Sequence, residues 1–151
     1  MKLISRTEEE TQQIGEKCGV FLEKYIAQHK TPVLVTLQGE LGSGKTVFSR
    51  GVLKAFGIIP HGASPTFVLM KRYTPQHESV VSHIIHIDAY RLDKETNIDA
   101  IGFNDLTKED AIILIEWPEH ISYTPDIPHL MVVCEHGEDE TIRYIDIRKP
   151  Q

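Results

Sequence analysis

The residues Gly39-Glu40-Leu41-Gly42-Ser43-Gly44-Lys45-Thr46 carry the most specific chemistry in this chain: two glycines separated by four spacers, then Lys and Thr. Glycines let a backbone curl so that successive N–H groups point inward, where they can hold phosphate oxygens. A helix starting at the end of the loop adds the positive end of its dipole at the same place. In such a loop Lys45 reaches the β- and γ-phosphates, and the Thr46 hydroxyl takes a Mg²⁺ position. From average residue usage the pattern arises by chance in about half a percent of chains this long. Its context is the required one, with an apolar run, Val33 to Leu37, before it and an amphipathic segment after it.

A phosphate loop needs a carboxylate at the end of a neighbouring strand to orient Mg²⁺ or its waters. Two residues qualify: Asp88 closes "SHIIHID" and Glu116 closes "AIILIE". Either alone could be a solvated strand end. Their recurrence after both apolar strands favours a metal-side pair, with Glu116 also able to orient a water as general base. His83 and His86 suggest zinc only weakly, because in a strand 86 shares a face with 88 while 83 points the other way. Packing or surface histidines are the simpler reading. Asp99-Ala100-Ile101-Gly102 imitates a GTPase D-x-x-G, but it follows a polar segment, and the chain has no Asn-Lys-x-Asp guanine reader. Adenine is the base left by elimination. Ser64-Pro65-Thr66-Phe67 reads either as a turn into a strand or as a switch whose Thr66 hydroxyl senses the γ-phosphate or Mg²⁺. Trp117, the sole tryptophan, follows Glu116 and lines either core or site.

These groups must be positioned by the elements around them. Thr7 with Glu10 forms a capping-box pattern opening a first helix, whose stripe is Ile14, Cys18, Leu22 and Ile26. Pro32 ends that segment, and Val33 to Leu37 is a buried strand. Thr46 to Phe56 reads as a second helix with Val47, Leu53 and Phe56 inward, stopped by Gly57. Strands follow at Phe67 to Tyr73 and Val80 to Asp88, joined by the polar turn at residues 75–78. A polar stretch over 93–110 has room for one short helix. Ala111 to Ile115 is the most continuous apolar run, and residues 129–134 and 141–148 bracket a hairpin turn at 137–140. The pattern predicts an α/β domain, its sheet parallel at the centre and antiparallel at an edge hairpin.

Composition bounds the function. The 151 residues are expected to form a single domain, 1–151, with a core that needs no staples. Hydrophobic residues make up 40% and charged residues 25%, with 22 acidic against 16 basic side chains and a net charge of −6. No basic run occurs, which argues against a broad nucleic-acid surface on this chain. Cys18 and Cys134 have no metal or redox spacing, so a reduced, cytoplasmic protein is expected. The first residues run into Glu8-Glu9-Glu10 without an apolar leader, and no 18-residue apolar stretch occurs, which predicts neither secretion nor membrane insertion.

The series "GELGSGKTVFSRG", "SPTF", "HIDAYRL" and "IEWPE", spanning Gly39 to Glu119, resembles the TsaE (YjeE) family of bacterial P-loop ATPases. The first motif is generic to a superfamily, whereas the four in series are specific. The resemblance implies a P-loop NTPase-like three-layer fold and ATP hydrolysis with Mg²⁺. The hydrolysis would support formation of threonylcarbamoyladenosine at position 37 of tRNAs reading ANN codons. Partners would be TsaB and TsaD, with tRNA reached through the complex. Carried over by position, Gly42, Ser43, Gly44, Lys45, Thr46 and Val47 would hold the phosphates. Thr46, Asp88 and Glu116 would surround Mg²⁺, Thr66 would be the switch residue, and Trp117 would border the site. Glu8 and Gly137 are the nearest matches to the family's adenosine-side contacts. Val47 stands where a second Thr is frequent, a change that leaves backbone N–H contacts intact.

Two other classes remain in play. A small-molecule kinase needs an arginine-rich lid, yet Arg6, Arg50, Arg72, Arg91, Arg143 and Arg148 are scattered. A nucleotide-gated binding module needs binding without turnover. Arg91 is the only near candidate for an arginine finger in cis, so hydrolysis is expected to be slow without a partner.

Overall fold

The computed structural model describes residues 1–60, 70–92, 102–108, 110–122 and 126–149. The strand portion expected at 67–69, the "SPTF" segment with Thr66, and Asp99 to Ile101 lie outside the described residues. The elements run β1 (Lys2–Ser5), α1 (Glu8–His29), β2 (Val33–Gln38), α2 (Lys45–Lys54), β3 (Met70–Tyr73) and β4 (His83–Asp88). They continue with α3 (Phe103–Leu106), β5 (Ala111–Glu116), a 3₁₀ turn (Pro118–His120), β6 (His129–His136) and β7 (Arg143–Arg148).

The seven strands form one sheet in the order β1-β7-β6-β2-β5-β4-β3. β6, β2, β5 and β4 are mutually parallel. β7 and β1 extend one side antiparallel, and β3 adds to the other antiparallel as well. The predicted α/β class and parallel centre hold, but antiparallel strands border the sheet on both sides. β1 went unpredicted. Its four residues alternate little, Ile4 is half exposed, and its strand character comes from pairing Lys2 to Ser5 with Asp146 to Arg143.

The central strands are apolar because both faces are covered. Val33, Val35, Leu37, Ile84, Ile112 and Leu114 join the core under α1 and α2. Leu34, Ile85, Ile87, Ile113 and Ile115 form a second core on the opposite face with Phe103 of α3, Leu106 and Ile121. Strand parity therefore puts His86, Asp88 and Glu116 on the same face as Ile84 and Ile112, toward α2.

α1 begins as its sequence predicts. Thr7 Oγ1 accepts from the Glu10 N–H at 3.1 Å, while Glu10 Oε2 reaches back to the Arg6 N–H at 2.7 Å. Three glutamates in the first turn suit the positive end of the helix. α1 lies on α2 through small residues. A Cβ on Gly15 would sit 2.2 Å from Phe48 O, and one on Gly51 would sit 2.1 Å from Gln12 O.

In α2 the inward residues are Phe48, Val52 and Leu53, followed by Phe56 beyond the helix end. The expectation for Val47 is corrected: it is only partly buried and lines a surface groove. The helix turns 100° per residue, so the side that buries Phe48 and Val52 leaves Val47 beside it. β4 begins at His83 rather than Val80.

Candidate functional site

β2 ends at Gln38, and the chain turns at once into the glycine-rich loop. Gly39 (φ 140°), Gly42 (φ 74°) and Gly44 (φ 100°) occupy backbone conformations that side chains resist. Gly39 is also needed for space, since a Cβ there would sit 2.0 Å from Cys134 O. Gly44 ends the loop as the residue before α2, with no side chain capping that helix. The first-turn amides of α2 are thus available to an anion.

Lys45 is buried, and its ammonium donates to Gly39 O at 2.7 Å and Glu40 O at 2.8 Å. It also lies 3.7 Å from the centroid of the Trp117 ring. Burial pushes Lys45 below the ordinary lysine range, while the charges of Glu116, Glu119 and Asp88 act in the opposite direction. An anion beside it relieves that penalty. Ser43 Oγ, next in the loop, is buried and has no hydrogen-bond partner among the described residues. A buried hydroxyl without a partner is costly and fits a loop that receives a polar ligand.

Glu116 is 1% exposed at the carboxyl end of β5. Its Oε2 accepts from Thr46 Oγ1 at 2.9 Å, and its Oε1 accepts from Ser49 Oγ at 3.0 Å. His86 Nε2 lies 2.8 Å from the same Oε1. Burial alone would raise the carboxyl. The bond and charge of His86, with the Thr46 and Ser49 hydroxyls, outweigh it and hold Glu116 below the usual carboxylate range. The carboxylate is therefore ionised at neutral pH, and Nε2 of His86 carries the hydrogen between them. Such a carboxylate, with both oxygens engaged, is better suited to orienting Thr46 and a cation than to taking a proton from water. Thr46 donates to Glu116 and so keeps its oxygen lone pairs for a cation.

Asp88 pairs with Glu116 in the β4–β5 register, which brings the two predicted carboxylates to neighbouring strand ends, with Glu116 the one bonded to Thr46. Asp88 Oδ1 accepts from the Tyr90 N–H at 3.1 Å, fixing the turn after β4. Arg91 follows in that turn and is exposed. Trp117 adopts φ 60°, unusual for a bulky residue, and its N–H donates to Leu37 O at 3.2 Å. Its ring packs with Tyr90 at 4.9 Å and His120 at 5.6 Å between centroids. His83 and His86 are both buried, not surface residues. Arg72 Nη2 donates to His83 Nδ1 at 3.0 Å, whereas His86 turns to Glu116, so the two rings serve different partners.

Beyond the loop lies a groove of about 420 Å³, lined by Thr7, Glu8, Thr11 and Arg6 at the start of α1, by Gly42, Gly44 and Val47, and by Glu140, Thr141 and Arg143. Glu8, one of the two residues expected on the adenosine side, lines this groove. Gly137 does not line this groove. It packs against Ile142 in the turn between β6 and β7 and donates its N–H to Ile142 O at 2.9 Å. The same hairpin grips the loop from outside, with Arg143 Nε on Gly42 O at 3.2 Å and His136 Nε2 on Leu41 O at 3.0 Å.

The residues that sequence reasoning missed are Ser49, Arg143, His136, Tyr90 and the partnership of His86 with Glu116. Only His86 carried a signal, as a polar residue breaking an isoleucine-rich strand.

No helix among the described residues is long and apolar enough to cross a membrane. A family model described as "Threonylcarbamoyl adenosine biosynthesis protein TsaE" matches residues 5–145. Proteins named tRNA threonylcarbamoyladenosine biosynthesis protein TsaE are similar over much of the chain. The Bacillus subtilis protein is 30% identical over 133 residues, covering 87% of this chain and 76% of that protein. The Rickettsia felis protein is 36% identical over 135 residues, covering 88% and 71%. The Haemophilus influenzae protein is 37% identical over 87 residues, 58% of this chain, and the match spans about half of that relative, 52% of its length. Among solved structures, the crystal structure of Bacillus subtilis YdiB has the same fold, with a TM-score of 0.66 at 24% identity over 100% of this chain and 86% of that one.

Proposed function

The chain belongs to the TsaE family, and on that premise we propose that residues 1–151 act as one ATP-binding and ATP-hydrolysing domain in the cytoplasm. In this reading hydrolysis supports threonylcarbamoylation of adenosine 37 in tRNAs reading ANN codons, in concert with TsaB and TsaD. The observation that carries it is a convergence. Lys45, Thr46, Asp88 and Glu116 meet where three adjacent parallel strands deliver their carboxyl ends to one glycine-rich loop. Ligands of open α/β sheets bind at that edge.

Each residue then has a task. The amides of Gly42 to Val47 and the unpartnered Ser43 hydroxyl receive phosphate oxygens. Lys45 exchanges its carbonyl contacts, or the Trp117 ring, for the terminal phosphates. Thr46 and Asp88, with Glu116 holding Thr46, provide the hard oxygen donors that Mg²⁺ prefers. Mg²⁺ held by these donors would supply positive charge against the negative charge that develops during phosphoryl transfer. The groove between Glu8 and Thr141 takes the nucleoside end. Thr66 is assigned the switch role on its motif alone.

Arginine supplied from a partner accelerates phosphoryl transfer by about 10³–10⁵-fold in related chemistry, so turnover by this chain alone is slow. The test is ATP hydrolysis with and without TsaB and TsaD, beside a Lys45→Ala control. Stimulation by the partners that vanishes in the control is the expected outcome. Equal turnover in the Lys45→Ala protein, or full turnover without partners, would overturn the reading.

A further inference from the structure

β4 is built of isoleucine at 84, 85 and 87, all fully buried, yet position 86 in the same strand is histidine, 3% exposed. α2 shows the same break. Its buried face is Phe48, Val52 and Leu53, with Ser49 among them. Apolar residues at both places would avoid the cost of burying polar groups. Both polar groups address one atom. His86 Nε2 and Ser49 Oγ lie 2.8 and 3.0 Å from Oε1 of Glu116. Among the described residues, Oε2 is left to Thr46 alone. The carboxylate is thereby held from three elements, β5, β4 and α2, and cannot rotate without abandoning two donors.

We propose that His86 is a positioning residue: with Ser49 it pins Oε1 of Glu116 so that Oε2 faces the Thr46 hydroxyl and the cation held there. This deepens the Mg²⁺–ATP reading above and rests on it. The ring does not touch nucleotide or metal. It acts through Glu116, as outer partners act on metal ligands elsewhere, where their removal costs about 10–100-fold in metal affinity or activity.

Nucleotide affinity of the full chain is measured with Mg²⁺ and with chelator, for the parent, His86→Leu, His86→Gln and Ser49→Ala, alongside turnover with TsaB and TsaD. Leu keeps bulk without a donor, whereas Gln offers an amide N–H to the same oxygen. In the parent, Mg²⁺ strengthens binding. His86→Leu should keep chelator affinity within about threefold and lose the Mg²⁺ gain and kcat by about 10–100-fold. Its KM for ATP with Mg²⁺ should rise with the lost Mg²⁺ gain, because slow turnover makes KM follow binding. His86→Gln should recover most of the loss, and Ser49→Ala should lose less than His86→Leu, in the same direction. A Mg²⁺ gain in the parent that survives unchanged in His86→Leu overturns the positioning role alone. If His86→Leu does not fold, an unchanged Mg²⁺ gain in Ser49→Ala overturns it. A parent that binds nucleotide equally with and without Mg²⁺ overturns the Mg²⁺ reading and this role together.

Discussion

Adding one methyl group at Gly51 sets two effects of opposite sign against each other. In a helix interior Ala is favoured over Gly by about 1 kcal/mol. Here the new Cβ would lie 2.1 Å from Gln12 O and 3.0 Å from Glu16 N, both backbone atoms of α1. A carbon meets a carbonyl oxygen at about 3.3 Å at closest, so α1 must stand off by roughly 1 Å. No rotamer change can relieve a backbone contact. A gap of that size forfeits about a quarter to a half of each atom pair's attraction of about 0.1–0.2 kcal/mol. Cys18, Leu22, Phe48 and Val52 belong to one core beneath this crossing. If roughly 50–100 pairs there lose about 0.05 kcal/mol each, the loss is about 2.5–5 kcal/mol. Gly51→Ala is therefore destabilising by about 1.5–4 kcal/mol net, and packing wins over propensity. Urea unfolding reads it directly: at a slope of about 2 kcal/mol per molar, the midpoint falls by about 1–2 M. Glu16→Ala is the comparator. It removes an exposed bridge to Lys54, 3.1 Å long, between the same helices, and should cost less than about 1 kcal/mol. Nucleotide affinity should fall with stability in Gly51→Ala, because α1 carries Glu8 and Thr11 and α2 carries Val47 to one groove. A midpoint unmoved or raised in Gly51→Ala would refute the close-packed crossing.

Two further outcomes follow from the site. Trp117 is the sole tryptophan and faces the Lys45 ammonium at 3.7 Å, so its emission should change when nucleotide draws Lys45 away. Unaltered emission at saturating ATP would contradict that exchange. Glu116 is held below its ordinary value near 4.5 by its three donors, against burial. Its stabilisation is present above that pH and lost as pH falls through the lower folded-state value. The stability gap between the parent and Glu116→Gln should accordingly shrink below about pH 4.5, measured by urea midpoints across pH, and a constant gap would refute it.

Local chemistry was legible because it depends on neighbours in the chain. The loop at 39–46 needs only its own glycines and the strand and helix on either side. The Thr7–Glu10 cap closes within four residues, and it formed as predicted. β2, β4 and β5 announced themselves because strands covered on both faces must be apolar throughout. The fold class and family followed from that order of elements and motifs. Val47 was misplaced because helical periodicity marks a broad face, and the exact inward residue depends on where α1 lies. β1 was invisible because four alternating-poor residues become a strand only when β7 offers its edge.

The sequence by itself determined which residues form the glycine-rich loop and where carboxylates would end strands, because backbone amides, glycine angles and strand parity are local properties. The tertiary structure alone decided which distant groups meet. Glu116 finds Thr46 across 70 residues and His86 across 30, while Arg143 reaches Gly42 across 101. Those pairings are set by strand order and by the close approach of α1 to α2. Neither is written in any short stretch of the chain, since each arises only when separate apolar faces are buried together.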